Sequence, residues 1–175
     1  MTTEITITAP SVYVGTYAKY NNGSIAGKWI NLLDDVTDCD DFYEKIAELH
    51  SDEADPEFMF QDYENMPRGI VSETSINWDY IDGLRRVLEE NNEEWAEAYA
   101  LFVENFHDTD VENFYESYSG TADSEEDYAV RLLEETGELN AIPQNLRYYF
   151  DYEKFARDLF INDYTFIDGH VFCDY

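Results

Sequence analysis

A chain of 175 residues with 40 Asp and Glu against 10 Lys and Arg carries a formal net charge of −30, which excludes direct association with nucleic acid or anionic lipid and points to basic partners. An acidic excess of this size is compatible with disorder, but 44% hydrophobic residues, among them 15 Tyr, 11 Phe and 3 Trp, supply the apolar area of a folded core. The length suits one ordinary domain or two or three small ones.

The opening MTTEITITAPSVYVG has no basic leader region and no long apolar core, and no segment approaches the eighteen or so apolar residues of a membrane span. A cytoplasmic protein is expected, with Cys39 and Cys173 as free thiols rather than a zinc site or disulfide framework. VYVGTYAKY (12–20) predicts a strand, Asn22-Gly23 a hairpin turn, and SIAGKWINL (24–32) the returning strand. Asn22-Gly23-Ser24 also matches a glycosylation sequon, but without a leader the turn reading is preferred. After the acidic loop DDVTDCDD, the segment DFYEKIAELH places Phe42, Ile46 and Leu49 at helical spacing. FMFQDY (58–63) predicts a third strand, with Phe58 and Phe60 on one face, and closes an N-terminal α+β domain over 1–66.

The stretch ENMPRGIVSETS marks a boundary through its Pro67 and Gly69. Beyond it Trp78, Ile81, Leu84, Val87 and Leu88 form one helical stripe, and Trp95, Tyr99, Phe102 and Phe106 another, broken near Asn91-Asn92. These predict a helical middle domain over 67–106. The remainder, 107–175, reads as a C-terminal α+β domain. In it, Gly120 separates a short helix from one beginning at Asp123, with Asp123 and Glu126 at capping-box spacing and Gly137 at its end. A third short helix is expected from Pro143, a fourth over DYEKFARDLF with Tyr152, Phe155 and Leu159 along one face, and a strand or hairpin over YTFIDGHVF.

Catalytic chemistry finds little support. With 40 acids some carboxylate pair always lies at glycosidase spacing, so the signal carries no weight. His50, His107 and His170 stand alone, without a metalloprotease helix or nucleophile elbow around them. A calcium loop needs Gly at its sixth position and Glu at its twelfth; counted from Asp108 these are Asn113 and Ser119, and from Asp38 they are Tyr43 and Leu49. No phosphate-binding glycine loop occurs. No enzyme activity, cofactor or metal is therefore assigned, and Arg85, Arg86, Arg147, Lys154 and Arg157 are expected to form internal salt bridges.

The informative feature is a row of acids. Glu89, Glu90, Glu93, Glu94, Glu97 and Glu104 fall within 87–106, and the row continues through Asp108, Asp110, Glu112, Glu116, Glu125 and Glu126 with no Lys or Arg between Val87 and Val130. Like charges at helical spacing cost a few tenths of a kcal/mol per pair, and ordinary solvated faces mix both signs. Salt adaptation would spread the acids evenly and use few large aromatics. Carboxylates four residues apart on a helix are separated by roughly 6 Å, comparable to neighbouring phosphates on a nucleic-acid strand. An excess of 30 negative charges matches roughly 50 Å of duplex, more than the roughly 40 Å diameter of a globule of this length, so an elongated chain of small domains is expected.

VYVGTYAKYNNGSIAGKW, HSDEADPEFMFQDYENMP and LLEETGELNAIPQNLRYYFDYEKFARDLF together resemble the ArdA antirestriction proteins over nearly the whole chain. The resemblance implies a DNA mimic: an elongated, curved, three-domain protein, usually a homodimer through its C-terminal domain, that occupies the DNA-binding groove of Type I restriction-modification enzymes at their methyltransferase core. It also implies carriage on conjugative plasmids or transposons and protection of incoming DNA. RLLEETGEL, with Arg131, Leu132, Leu133, Glu134, Glu135, Gly137, Glu138 and Leu139, lies in what the family regards as its antirestriction motif, serving dimer packing as much as contact with the enzyme. Two alternatives share the acidity: a sequestering or chaperone module for another basic protein, and an acidic hydrolase.

Overall fold

Val12 and Val14 are fully buried on one face of β1 (Ser11–Thr16), itself largely buried as the middle strand of an antiparallel sheet in the order β2-β1-β3. We describe this arrangement from a computed structural model covering residues 9–174. Val12 faces Ile30 of β2 (Lys28–Asn31), and Val14 faces Phe60 of β3 (Phe58–Glu64), so one sheet face is apolar and turned to the core. The expected strand over 12–20 stops at Thr16. Its hydroxyl accepts the Lys19 N–H at 3.2 Å, capping a short helix α1 (Tyr17–Asn21), and this local bond overrides the β propensity of the flanking tyrosines. Asn22 and Gly23 thus close a helix instead of turning a tight hairpin.

Helix α2 (Cys39–Leu49) starts where the Asp38 carboxylate accepts the Asp41 N–H, and it lays Phe42 and Ile46 on the sheet. Leu49, expected beside them, is partly exposed; His50 takes the inward place. The Phe42 ring meets Phe60 at 5.9 Å and Trp78 at 5.3 Å, joining the sheet to α3 (Trp78–Glu90). Asn91 ends α3 and Asn92 caps α4 (Glu93–Phe106) by accepting the Trp95 N–H, so the break falls where the sequence placed it. The α3–α4 contact depends on Gly83, because a Cβ there would lie 2.3 Å from the Tyr99 hydroxyl. Tyr99 instead stacks on Tyr80 at 5.5 Å and 10°, and its hydroxyl donates to the Thr109 carbonyl at 2.7 Å. All of this lies in one compact unit, Met1–Val111.

The other unit is Glu112–Tyr175. Around Gly120, where the sequence suggested only a helix break, the chain forms β4 (Tyr118–Thr121) after α5 (Val111–Ser117). It pairs in the antiparallel order β4-β6-β5 with β5 (Tyr164–Ile167) and β6 (His170–Cys173). Asp168 and Gly169 both have positive φ, 47° and 88°, as a two-residue primed turn requires, so the terminal segment is the expected hairpin. Helix α6 (Glu125–Thr136) begins one residue later than expected: Ser124, not Asp123, accepts the Asp127 N–H, and Gly137 closes it at φ 70°. Between α6 and α7 (Tyr152–Asn162) only two 3-10 turns form, Glu138–Ala141 and Arg147–Tyr149, and neither buries a residue. Without an inward stripe, the segment after Pro143 has no packing to extend a helix.

Seven α-helices and two three-stranded antiparallel sheets among the described residues make the fold α+β. No described helix is long and apolar enough to cross a membrane.

Candidate acidic interface

Three helix N-termini account for much of the acid row. Glu93 and Glu94 occupy the first turn of α4, Glu112 that of α5, and Glu125 and Glu126 that of α6, all exposed. Unpaired N–H groups and the helix dipole favour a carboxylate there by about 0.3–1 kcal/mol, enough to offset repulsion of a few tenths from a like-charged neighbour. The row is therefore tolerable to the fold without cations. Glu97 and Asp110 are exposed in the first unit and Glu116 in the second, whereas Glu104 and Asp108 are half-buried; the Asp108 carboxylate accepts the Asp110 N–H at 2.9 Å.

Glu89 and Glu90 lie at the unfavourable C-terminal end of α3. Arg86 donates to Glu90 at 3.0 Å, so this member of the row is paired by an arginine immediately before it. Glu89 is exposed, four residues from Arg85, which points elsewhere.

Seven of the ten cations are turned to the protein's own groups; Lys28, Arg68 and Lys154 are exposed, and Lys154, expected to form a salt bridge, makes none with a described carboxylate. Lys19, Lys45, Arg86 and Arg157 form ion pairs at 2.8–3.2 Å. Arg85 and Arg147, expected to form salt bridges, instead donate to backbone carbonyls: Arg85 to Leu32, Leu33 and Val36, and Arg147 to Ile142. Arg131 donates to the Thr121 carbonyl, with its guanidinium 5.3 Å from the Tyr128 ring centre.

RLLEETGEL forms the last turns of α6 and its cap. Leu133 is buried, Leu132, Gly137 and Leu139 are half-buried, and Arg131, Glu134, Glu135 and Glu138 face solvent. Burial and a hydrogen bond with Tyr164 push the nearby Tyr128 phenol up to about 12. Beyond the motif, Leu146, Tyr148, Tyr149 and Ile161 are 49%, 89%, 78% and 70% exposed. No acid lies between Leu139 and Phe150.

One cluster was not legible in the sequence. His50, Asp52 and Glu53 present three ligand atoms within 4.8 Å of one another, a spacing suited to a metal ion. The Lys19 ammonium already lies among them, 2.8 Å from His50 Nδ1, 2.8 Å from Asp52 and 3.6 Å from Glu53. With Nδ1 accepting, Nε2 carries the ring hydrogen and donates to the Val14 carbonyl at 3.3 Å. The hydrogen bond to Asp52 raises the Lys19 ammonium above its ordinary range and lowers the Asp52 carboxyl below its own. The HSDE segment held three members, but the fourth lies 31 residues from His50, beyond any local pattern. His170 is likewise a core group, 3.0 Å from the Tyr118 hydroxyl.

A search of curated proteins returns no match. The family model described as antirestriction protein (ArdA) matches residues 12–172, most of both compact units and all of the acids described above. The chain belongs to the ArdA antirestriction family.

Proposed function

We propose that the protein acts by mimicking DNA: its carboxylates enter the DNA-binding groove of a Type I restriction-modification enzyme, at the methyltransferase core, and pair with the Lys and Arg that otherwise hold phosphates. The observation that carries this reading is the division of charge. Acids from Glu89 to Glu126 reach solvent on both units, while seven of the ten cations bond to the protein's own carboxylates and carbonyls and the three exposed ones, Lys28, Arg68 and Lys154, lie outside the acid row. A basic groove therefore meets carboxylates presented in groups on short helices. The proposed contacts are Glu89, Glu90, Glu93, Glu94, Glu97, Glu104, Asp108, Asp110, Glu112, Glu116, Glu125 and Glu126. No bond is made or broken; the protein competes with duplex for one site in the cytoplasm and shields an incoming conjugative element.

The C-terminal unit is proposed to form a homodimer. Two copies at −30 each repel, so they can meet only where charge is least. The acid-free strip from Leu139 to Phe150, with Leu146, Tyr148 and Tyr149 exposed, meets that requirement.

Titration of the protein into a Type I methyltransferase core bound to labelled duplex tests the mimic. Stoichiometric displacement that weakens as salt rises is expected. Binding to the enzyme without loss of duplex would point instead to a sequestering module.

A further inference from the structure

We propose that Arg85 is a positioning residue for the acidic face: it orients α3 on the N-terminal sheet and, by doing so, leaves the Glu89 carboxylate unpaired for a cation of the target. The inference rests on the mimic reading and adds to it a residue that has the wrong charge for a mimic.

Two adjacent arginines on α3 each have a glutamate four residues ahead: Arg86 with Glu90, and Arg85 with Glu89. The two pairs behave differently. Arg86 makes its helical ion pair at 3.0 Å. Arg85 turns away, and its guanidinium reaches the loop between β2 and α2, where one terminal nitrogen donates to the Leu32 carbonyl at 3.0 Å and the Val36 carbonyl at 3.3 Å, and the other to Leu33 at 3.3 Å. These carbonyls lie 49 to 53 residues away in the chain. In a protein with 40 acids, a cation that forms no ion pair with any described carboxylate is not placed to balance charge. The forked, planar guanidinium suits what it does here, because it can hold several convergent acceptors at once; a lysine ammonium on a more flexible stem cannot reproduce that geometry. Its Nε is buried without a partner, so the three carbonyl bonds hold the group against a desolvation cost.

The consequence passes along the helices. Arg85 lies one turn before Glu89, and α3 continues through Asn91-Asn92 into α4, held there by the Tyr80–Tyr99 stack over Gly83. Seating α3 at the loop therefore also seats Glu93, Glu94 and Glu97 relative to the N-terminal sheet.

Arg85→Met and Arg86→Met test this, because each makes the protein more negative by the same single charge. If net charge alone governed inhibition, both variants would displace duplex at least as well as wild type. The positioning role predicts opposite signs: Arg86→Met equal to wild type or tighter, Arg85→Met weaker by about tenfold, the scale of disengaging several screened ion pairs at once. Arg85→Met should also show a shallower dependence of log affinity on log salt, since fewer carboxylates engage together. Measurements well below the melting temperature separate this from simple loss of stability, which would leave the salt slope unchanged. Arg85→Lys, which keeps the charge, is expected between wild type and Arg85→Met, and decides the matter if the methionine variant does not fold. Wild-type displacement and salt slope in folded Arg85→Met, or in Arg85→Lys where that variant is the one that folds, would overturn the inference; failure of wild type itself to displace duplex would overturn the mimic reading.

Discussion

At the scale of single residues, packing fixes a glycine inside a helix of the first unit. Gly83 lies inside α3, where alanine is intrinsically better by about 1 kcal/mol. Packing opposes that gain. A Cβ would stand 2.3 Å from the Tyr99 hydroxyl and 2.9 Å from its ring carbon, and Tyr99 cannot retreat because Tyr80 stacks on it and Thr109 accepts its hydrogen. Overpacking of this kind costs about 1–3 kcal/mol. Gly83→Ala is therefore expected to lower stability, with a fall in melting temperature of several degrees by calorimetry; a rise would mean that the α3–α4 contact is looser than described. Nothing local marks this glycine, since its partner lies a helix away.

At the scale of elements, the acid row is a property of helix ends more than of one continuous helix. Glu93 and Glu94 gain from the α4 N-terminus roughly what Glu93 loses to Glu97 one turn on. Replacing Glu93, Glu94 and Glu97 together by Gln should leave the melting temperature within about 2 °C of wild type, since the two effects are each a fraction of a kcal/mol. Duplex displacement should nevertheless fall by about tenfold, and by less than about threefold for each single change, because screened ion pairs are individually weak. A single Glu→Gln change that abolished inhibition in a folded protein would refute the distributed contact. The break at Asn91-Asn92, both helical stripes and the terminal hairpin were legible because periodicity, capping side chains and an Asp-Gly turn are local signals. The strand β4 was not: SYSGT has no clear alternation, and only its pairing with β6 makes it a strand. The short helix α1 was missed for the converse reason, a single Thr16 cap outweighing a strand-like composition.

At the scale of the whole molecule, a charge of −30 constrains association as well as target choice. The proposed dimer is expected to form through an acid-free face, and Leu139 to Phe150 is the one proposed in the second unit. Changing Tyr148 and Tyr149 together to Glu places charge on that strip without disturbing a buried residue, since both are largely exposed. The expected result is a halved mass by light scattering with a native circular dichroism spectrum. An unchanged dimer would move the interface elsewhere, and a monomeric wild type would remove it.

Composition, periodicity and motif resemblance by themselves determined the α+β class, most helices, the acid row and the family, because charge counts and helical spacing are additive and local. The tertiary structure alone decided where the cations go. Arg85 and Arg147 bond to carbonyls, Lys19 occupies a cage of His50, Asp52 and Glu53, and Arg86 pairs with Glu90 while Arg85 leaves Glu89. A guanidinium or ammonium takes whichever acceptors the fold brings within about 3 Å, and for Arg85 and Lys19 those acceptors come from chain segments 31 to 53 residues away.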